Sequence, residues 1–462
     1  MSWFGRLFGR PQEEDEQLDA AEEEETIFTP PVVRQRGIQL PRFQGTASDK
    51  ARTGVDSKIE QIRFRLRNAF TPSRPVLDPG MFAGRRSLLT HVIRSIEDQQ
   101  LHVVLFGARG IGKTSTLHIL CQIAKDARYV VRYTSCGEQV HFDDMFRAVL
   151  DDIPLLYHAD YEPTADEIEE GLTFSSLIGD APLTVGQVSE ILARISGTRL
   201  LIVLDEFDRV HAPEFRQQIA ELIKNLSDRA SRVQLVIAGV ASNLNEIIEQ
   251  IPSIRRNILG IPVPVMNTEE LTELIRIGEK ESGLRFSPEA AKLVCELANG
   301  LPYLAGLICL HSGLTALDRH NSIVSDIDVW TGVRHAFEEI NLRLSPATQH
   351  QIDMAIKAGH GEDLRILTRS ALRAGGLAIP DQIEESSGAR NPDGVELARL
   401  ANDFQLLTPL PKDPLNAYIF ADEGAPLYFW MREADQRAAD AIAGKRSEPL
   451  KSGGVRLARP VT

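Results

Sequence analysis

Long apolar runs are missing from this chain of 462 residues. The longest candidates, "LLIVL" and "LPYLAGLICL", fall far short of the ~20 residues a membrane-spanning helix needs, which excludes a bilayer-crossing protein. Cysteine is scarce: Cys121, Cys136, Cys295 and Cys309 are scattered, with no C-x-x-C pair, and no secretory signal precedes them. That excludes a disulfide framework and predicts buried, reduced thiols in a cytoplasmic protein. Internal repeats are absent. Bases are missing from residues 11–26, "PQEEDEQLDAAEEEET", whose nine carboxylates make up most of the net charge of −14 and leave the remainder at −5. A folded body so mildly acidic argues against a broad nucleic-acid surface, although it leaves room for a local basic patch. What is present is ordinary: 43% hydrophobic residues, enough for a sizeable core, in a length that suits about three domains.

The chain divides by pattern. Residues 1–54 read as a disordered tail, an acidic block followed by Pro30-Pro31 and a polar stretch dotted with Arg34, Arg36, Arg42 and Arg52. Its first ten residues, "MSWFGRLFGR", differ. On a helix, Trp3, Phe4, Leu7 and Phe8 share a face, with Arg6 and Arg10 opposite. This suits a weak peripheral membrane contact or a peptide for a partner's groove, and equally an idle terminus. Residues 55–266 open with the amphipathic "VDSKIEQIRFRLRNAF" and then alternate helices with the β-rich runs "HVVLFG", "YVVRYTSC", "LLIVLDE", "QLVIAG" and "ILGIPVPV". Such runs are buried in parallel sheets, so the predicted class is α/β with a doubly wound parallel sheet. Over 267–340 the strands stop. "SPEAAKLVCELANG", with Ser287 as N-cap, Pro288 in the first turn and Gly300 past the end, typifies an all-α module. Residues 341–435 add two β-like runs in "FQLLTPLPKDPLNAYIFAD" to further helices, predicting a winged-helix domain. Residues 436–462, with six Lys/Arg against two acids, read as a flexible basic tail.

Two motifs carry chemistry. Gly107-Ala108-Arg109-Gly110-Ile111-Gly112-Lys113-Thr114 satisfies G-x-x-x-x-G-K-[ST] and sits between a predicted strand and a predicted helix. Its glycines let the backbone turn amides onto phosphates, Lys113 reaches the β/γ oxygens, and Thr114 offers a hydroxyl to Mg²⁺. The helix beginning with Lys113, Thr114 and Ser115 brings its positive end to the same phosphates. The second motif is "RLLIVLDEFDRV". Here Asp205 and Glu206 end a strand, at the edge where open α/β sheets bind ligands. Asp205 is the expected Mg²⁺ partner, through water, and Glu206 is placed to orient or deprotonate an attacking water. Asp208 reads as a helix cap rather than a catalyst.

Together, strand–P-loop–helix, hydrophobic-Asp-Glu and a later strand ending in polar residues resemble the AAA+ ATPases, in the branch of replication initiators and STAND signalling ATPases, over residues 56–435. The resemblance implies a P-loop NTPase core, a helical lid and ATP with Mg²⁺ as cofactors. "MFAGRRSLL" is similar to the branch's F-x-G-R motif, whose backbone at Gly84 and Arg85 helps to seat adenine. In "LVIAGVASNLN" the sensor-1 position falls on Ser242 or Asn243, where a polar side chain senses the γ-phosphate. "IPSIRRNI" stands where such proteins often carry an arginine finger. Arg255 or Arg256 is therefore either a finger for a neighbour's γ-phosphate or an ordinary surface or salt-bridged arginine. One departure is informative. "NGLPYLAGL" carries no sensor-2 arginine and resembles instead the G-x-P motif of STAND ATPases, with Pro302 packing near the nucleotide. Slow turnover is the implication.

The load on this ATPase is less legible. Lys113 and Asp205 are 92 residues apart, and the acidic "HADYEPTADEIEEGLTFSSLIGDAPLT" between them is either a partner-specific insertion or a solvated excursion. Arg365, Arg369 and Arg373 recur every fourth residue, as on a phosphate-tracking helix. Residues 341–434 nevertheless hold nine bases and thirteen acids. The expected function is an ATP-hydrolysing switch acting on a protein partner, with ATP-dependent self-association. The alternative is an initiator or transposition-helper ATPase binding duplex DNA through the winged helix.

Overall fold

The computed structural model describes residues 57–162, 164–229, 231–241, 244, 254–373, 377–378, 394–410 and 417–447. The N-terminal amphipathic segment, the acidic block, Ser242, Asn243 and the last fifteen residues lie outside them. No helix among the described residues is long and apolar enough to cross a membrane.

A five-stranded parallel sheet forms the centre. Its strands are β1 (His102–Gly107), β2 (Val130–Ser135), β3 (Leu200–Asp205), β4 (Val233–Val240) and β5 (Ile258–Pro262), in the spatial order β2-β3-β4-β1-β5. β3 is buried along its whole length and β4 along nearly all of it, which is why "LLIVLD" and "VQLVIAGV" read as continuous apolar runs. β2, at the sheet's edge, is only half-buried and keeps the mixed "VVRYTS". On one side of the sheet, α2 (Arg86–Glu97) and α3 (Lys113–Asp126) cover a core containing Leu89, Val92, Leu117 and Leu120. On the other, α4 (Phe142–Asp151), α6 (Val185–Leu192) and α7 (Pro213–Asp228) enclose Phe146, Val188 and Leu222. Between α4 and α6 the acidic stretch is structured. It holds a short helix, α5 (Ala165–Glu169), started by a reciprocal cap between Thr164 and Glu167, and Phe174 anchors it in the core. Antiparallel bridges at Pro154–Thr173 and His158–Ile195 tie it down.

The segment after the sheet departs from the sequence expectation in four respects. Its helices are α8 (Thr268–Ser282), α9 (Pro288–Ala298), α10 (Pro302–Asp318) and α11 (Asp326–Asn341). They are not alone: β6 (Arg285–Phe286) and β7 (Ile323–Val324) form a two-stranded parallel pair, too short to announce itself by alternation. Helix α1 (Ser57–Ala69), expected at the head of the α/β core, instead packs on this lid. Leu66 of the helix and Phe70 just after it are buried beside Leu271, Ile275 and Leu284, and Arg63 donates to Asp318, 255 residues away. Burying side chains of this size contributes about 1.5–3 kcal/mol each. Finally, the lid shares one continuous apolar cluster with the C-terminal part of the chain. That part comprises α12 (Pro346–Lys357), α13 (Gly361–Arg373), α14 (Gly394–Asn402) and an antiparallel sheet of β8 (Leu377–Ala378), β10 (Tyr418–Phe420) and β9 (Leu407–Pro409), in that order. The last helix, α15 (Ala425–Ser447), runs well into the stretch expected as a flexible tail. It is held on the lid by Trp430 Nε1 donating to the Leu297 carbonyl (2.8 Å) and by Arg437 paired with Glu296 (2.7 Å).

Candidate functional site

The site is built where β1 and β3 end. Beyond Gly107 the chain turns through Gly110 (φ +73°) and Gly112 (φ +96°) into α3, so the loop's amides precede a helix N-terminus. Gly110 is needed twice over. Its φ lies in the left-handed region, and a Cβ there would stand 3.1 Å from that of Tyr303 on α10. Lys113 is buried, and its Nζ donates to the carbonyls of Gly107 (2.8 Å) and Ala108 (2.9 Å), which leaves the third ammonium proton for another acceptor. Burial lowers its pKa to about 8, opposed by the charges of Asp208 and then Asp205. Thr114 follows in the first turn of α3, and the Ser115 hydroxyl accepts from the Val76 amide (3.0 Å), fastening the segment that leads to Gly84.

Asp205 is the last residue of β3 and is 2% exposed. Its Oδ1 accepts from the Glu206 amide (2.8 Å) and its Oδ2 from the Tyr133 hydroxyl (2.8 Å). Burial, followed by the Asp205 charge, pushes the Tyr133 phenol well above its ordinary pKa. Glu206 turns through a left-handed conformation (φ 54°), and its Oε2 accepts from Ser135 Oγ (3.1 Å) and Arg209 Nη1 (3.0 Å). Asp208 does not cap a helix. Its Oδ1 accepts from the amide of Val240 (2.8 Å), tying the Asp-Glu turn to the end of β4.

Arg85 and the lid complete the site. The amides of Gly84 and Arg85 donate to Glu273 (2.9 Å) and Glu270 (2.8 Å) of α8. The buried Arg85 guanidinium donates through Nη2 to the carbonyls of Ile111 (2.6 Å) and Pro264 (2.9 Å), while Nε and Nη1 have no partner in the protein. Burial lowers its pKa to about 10, which leaves it cationic at neutral pH. An under-satisfied buried cation and a spare ammonium proton beside one loop fit an anionic ligand, as the phosphates of a nucleotide would supply. Pro302 and Tyr303 open α10 against the loop, the Tyr303 amide reaching the Gly110 carbonyl at 3.4 Å. Arg109, on the loop itself, pairs with Glu423 of the C-terminal part at 2.8 Å. The cation side of a Mg²⁺ site is equally consistent: Asp205 keeps free lone pairs, and no cluster of three or more metal-ligating side chains exists among the described residues. Mg²⁺ commonly needs none, because it retains waters and binds phosphate oxygens.

Arg255 and Arg256 are not brought to this site. They are exposed in the turn before β5, and β5 runs parallel to β1, so they stand at the sheet edge opposite the loop; Arg256 lies 3.9 Å from Asp228. Sequence reasoning missed Tyr133, Ser135, Glu270 and Glu273. The first two sit on β2 beside the Asp-Glu pair by strand register alone (Ser135 pairs with Asp205), and the last two reach the site only through lid packing.

A loop of this shape after β1, an Asp-Glu pair on β3 and β4 inserted between them define a P-loop NTPase core of the AAA+ class. The sequence matches the family described as Novel STAND NTPase 1 (nSTAND1) over residues 71–308, and the chain belongs to that family. No curated protein matches it. Among solved structures it is similar to RuvB, the Holliday junction branch migration motor of Thermotoga maritima, at 15% identity, covering 75% of this chain and 95% of that one with a TM-score of 0.39. It is also similar to Cdc6p of Pyrobaculum aerophilum (16% identity, 80% and 98% covered, TM-score 0.40). A third is the Aeropyrum pernix ORC1 protein in complex with DNA (14% identity, 83% and 98% covered, TM-score 0.41). Likeness at this level adds nothing to the sheet order described above.

Proposed function

We propose that the chain is an ATP-binding, Mg²⁺-dependent ATPase whose nucleotide state sets the disposition of its lid and C-terminal part, and through them the engagement of a protein partner. The observation that carries this reading is double contact on one loop: Tyr303 of the lid at Gly110, and Glu423 of the C-terminal part at Arg109. A change in what the loop holds is felt by both at once. Mg²⁺, when bound, would supply charge neutralisation for the phosphates. The chain's own residues do the rest. Lys113 would direct its spare proton at the phosphates, Thr114 and Asp205 would hold the metal with its waters, and Glu206, bonded to Arg209 and Ser135, would position the attacking water. Ser242 or Asn243 serves as sensor, and Arg255 or Arg256 as a finger towards a neighbouring copy.

The C-terminal helices and three short antiparallel strands we infer to be a winged helix. A protein rather than duplex DNA is favoured as its partner, because two of the three arginines of the stripe are engaged within the chain. Arg365 pairs with Glu362 (2.7 Å) and Glu433 (2.9 Å), and Arg373 donates to Asn299 (3.2 Å). Size-exclusion chromatography with light scattering under ATP, ADP and no nucleotide, run beside ATP turnover, tests the switch. Lys113→Ala should abolish ATP binding, and Glu206→Gln should bind ATP but turn over at least about tenfold more slowly. A Gln variant as fast as the parent removes Glu206 from the chemistry.

A further inference from the structure

Asp205 carries a partner that the NTPase reading does not require. Tyr133 lies on β2, two residues before the position registered with Asp205, and leans along the strand to bring its hydroxyl to 2.8 Å from Oδ2. Its ring is held from behind. His118, on the helix that begins with Lys113, stacks on it with centroids 4.5 Å apart and planes at 28°. The phenol therefore bridges the phosphate-loop helix and the carboxylate at the end of β3.

We propose that Tyr133 is a positioning residue for the metal-binding carboxylate: its hydroxyl fixes the rotamer of Asp205, so that the free lone pairs of that carboxylate are presented towards the phosphate loop. A carboxylate at a strand end can swing about two side-chain torsions. The bond from the Glu206 amide to Oδ1 is local and restrains one oxygen only. The Tyr133 bond restrains the other, and two donors on two oxygens define the plane of the group. An ionised carboxylate has about four lone-pair sites; two are taken here, and the others remain for metal-bound water. Partners that orient a ligating group typically contribute roughly 10- to 100-fold to metal affinity, and the lower end is appropriate where the metal is approached through water.

The inference rests on the reading of Asp205 as the metal's partner, and the experiment separates the two. With the full chain, ATP binding is measured by calorimetry in EDTA and across a Mg²⁺ series, for the parent, Tyr133→Phe and Asp205→Asn, with melting temperature as the folding control. Tyr133→Phe keeps the ring and its stacking on His118 and removes only the hydroxyl. The expected result is unchanged ATP affinity in EDTA, an unchanged melting temperature and about a tenfold rise in the Mg²⁺ concentration giving half-maximal enhancement of binding. Asp205→Asn should show a larger rise. His118→Ala, which frees the ring but leaves the hydroxyl, should shift the Mg²⁺ requirement in the same direction by less. If Asp205→Asn shifts the Mg²⁺ requirement and Tyr133→Phe does not, the positioning role is wrong. If Tyr133→Phe weakens binding equally with and without Mg²⁺, the tyrosine is structural only and the proposal falls. If Asp205→Asn itself leaves Mg²⁺ dependence intact, the reading of Asp205 fails first.

Discussion

His102, the first residue of β1, should make this protein acid-sensitive. It is buried, its Nδ1 accepts the Leu235 amide of β4 (2.9 Å), and its Nε2 stands 3.2 Å from the Ser227 hydroxyl on α7. The acceptor role of Nδ1 fixes the tautomer with the proton on Nε2. Protonating Nδ1 would leave two N–H groups facing each other in a buried strand pair, and burial accordingly lowers the His102 pKa from 6.5 to about 4. Between those values the unfolded chain binds the proton and the folded chain does not, so stability rises with pH and is lost on acidification. The stabilisation is complete above pH 6.5, the ordinary value for the unfolded chain. At about 1.4 kcal/mol for each pH unit between the two values, about 2 kcal/mol is gone by pH ~5 and about 3 kcal/mol by pH ~4. The control is His102→Asn, whose side-chain oxygen can accept the same amide but does not titrate. Urea denaturation of both proteins from about pH 8 to about pH 4.5 measures the difference. The variant should be less stable at the alkaline end and should lose less on acidification, so that the two curves converge as pH falls. Parallel curves would refute the argument, since they would mean that His102 is either solvated or already charged in the folded state.

Two further outcomes arise from packing and charge. Gly300→Ala should cost about 2 kcal/mol or more and weaken ATP binding. The residue has φ +79°, and its Cβ would meet Val265 Cβ at 2.8 Å and the Met266 carbonyl at 2.9 Å, in the connection between sheet and lid; urea denaturation and calorimetry measure both effects. Arg365→Glu should set three carboxylates together with Glu362 and Glu433, lowering stability by about 1 kcal/mol in a manner that salt relieves, with no change in duplex-DNA retention at low salt. A large loss of DNA binding would revive the initiator-like reading.

The phosphate loop and the Asp-Glu pair were legible because each is a local arrangement: a strand end, a turn and a helix start lie within a dozen residues of sequence. The alternation of strands and helices likewise carried the parallel sheet, since buried central strands must be apolar throughout. What was not legible depends on register and on distant packing. Nothing in "VVRYTS" says that Tyr133 meets Asp205 rather than solvent; that comes from β2 lying beside β3. Nothing in "SKIEQIRFRLRNAF" says that Leu66 and Phe70 are buried beside Leu271 and Leu284 rather than beside the adjacent strands. An amphipathic helix advertises that it has an apolar face, not which surface will take it. The surroundings of the arginine stripe were hidden for a related reason: periodicity placed the charges on one face, but Glu433, which pairs with Arg365, comes from a helix 68 residues away.

Because α1 packs on the lid although it precedes the sheet, the polypeptide spans between lid and sheet at two places, once between Phe70 and Arg86 and again between Pro262 and Thr268. A body joined by a single tether can twist freely, whereas one joined at two separated points is confined to turning about the line through them. Arg85 lies at the end of the first crossing, and its amide donates to Glu270 in the first turn of α8, just past the second. The lid is thereby joined to the sheet as a gate is to its post, at two pins rather than one.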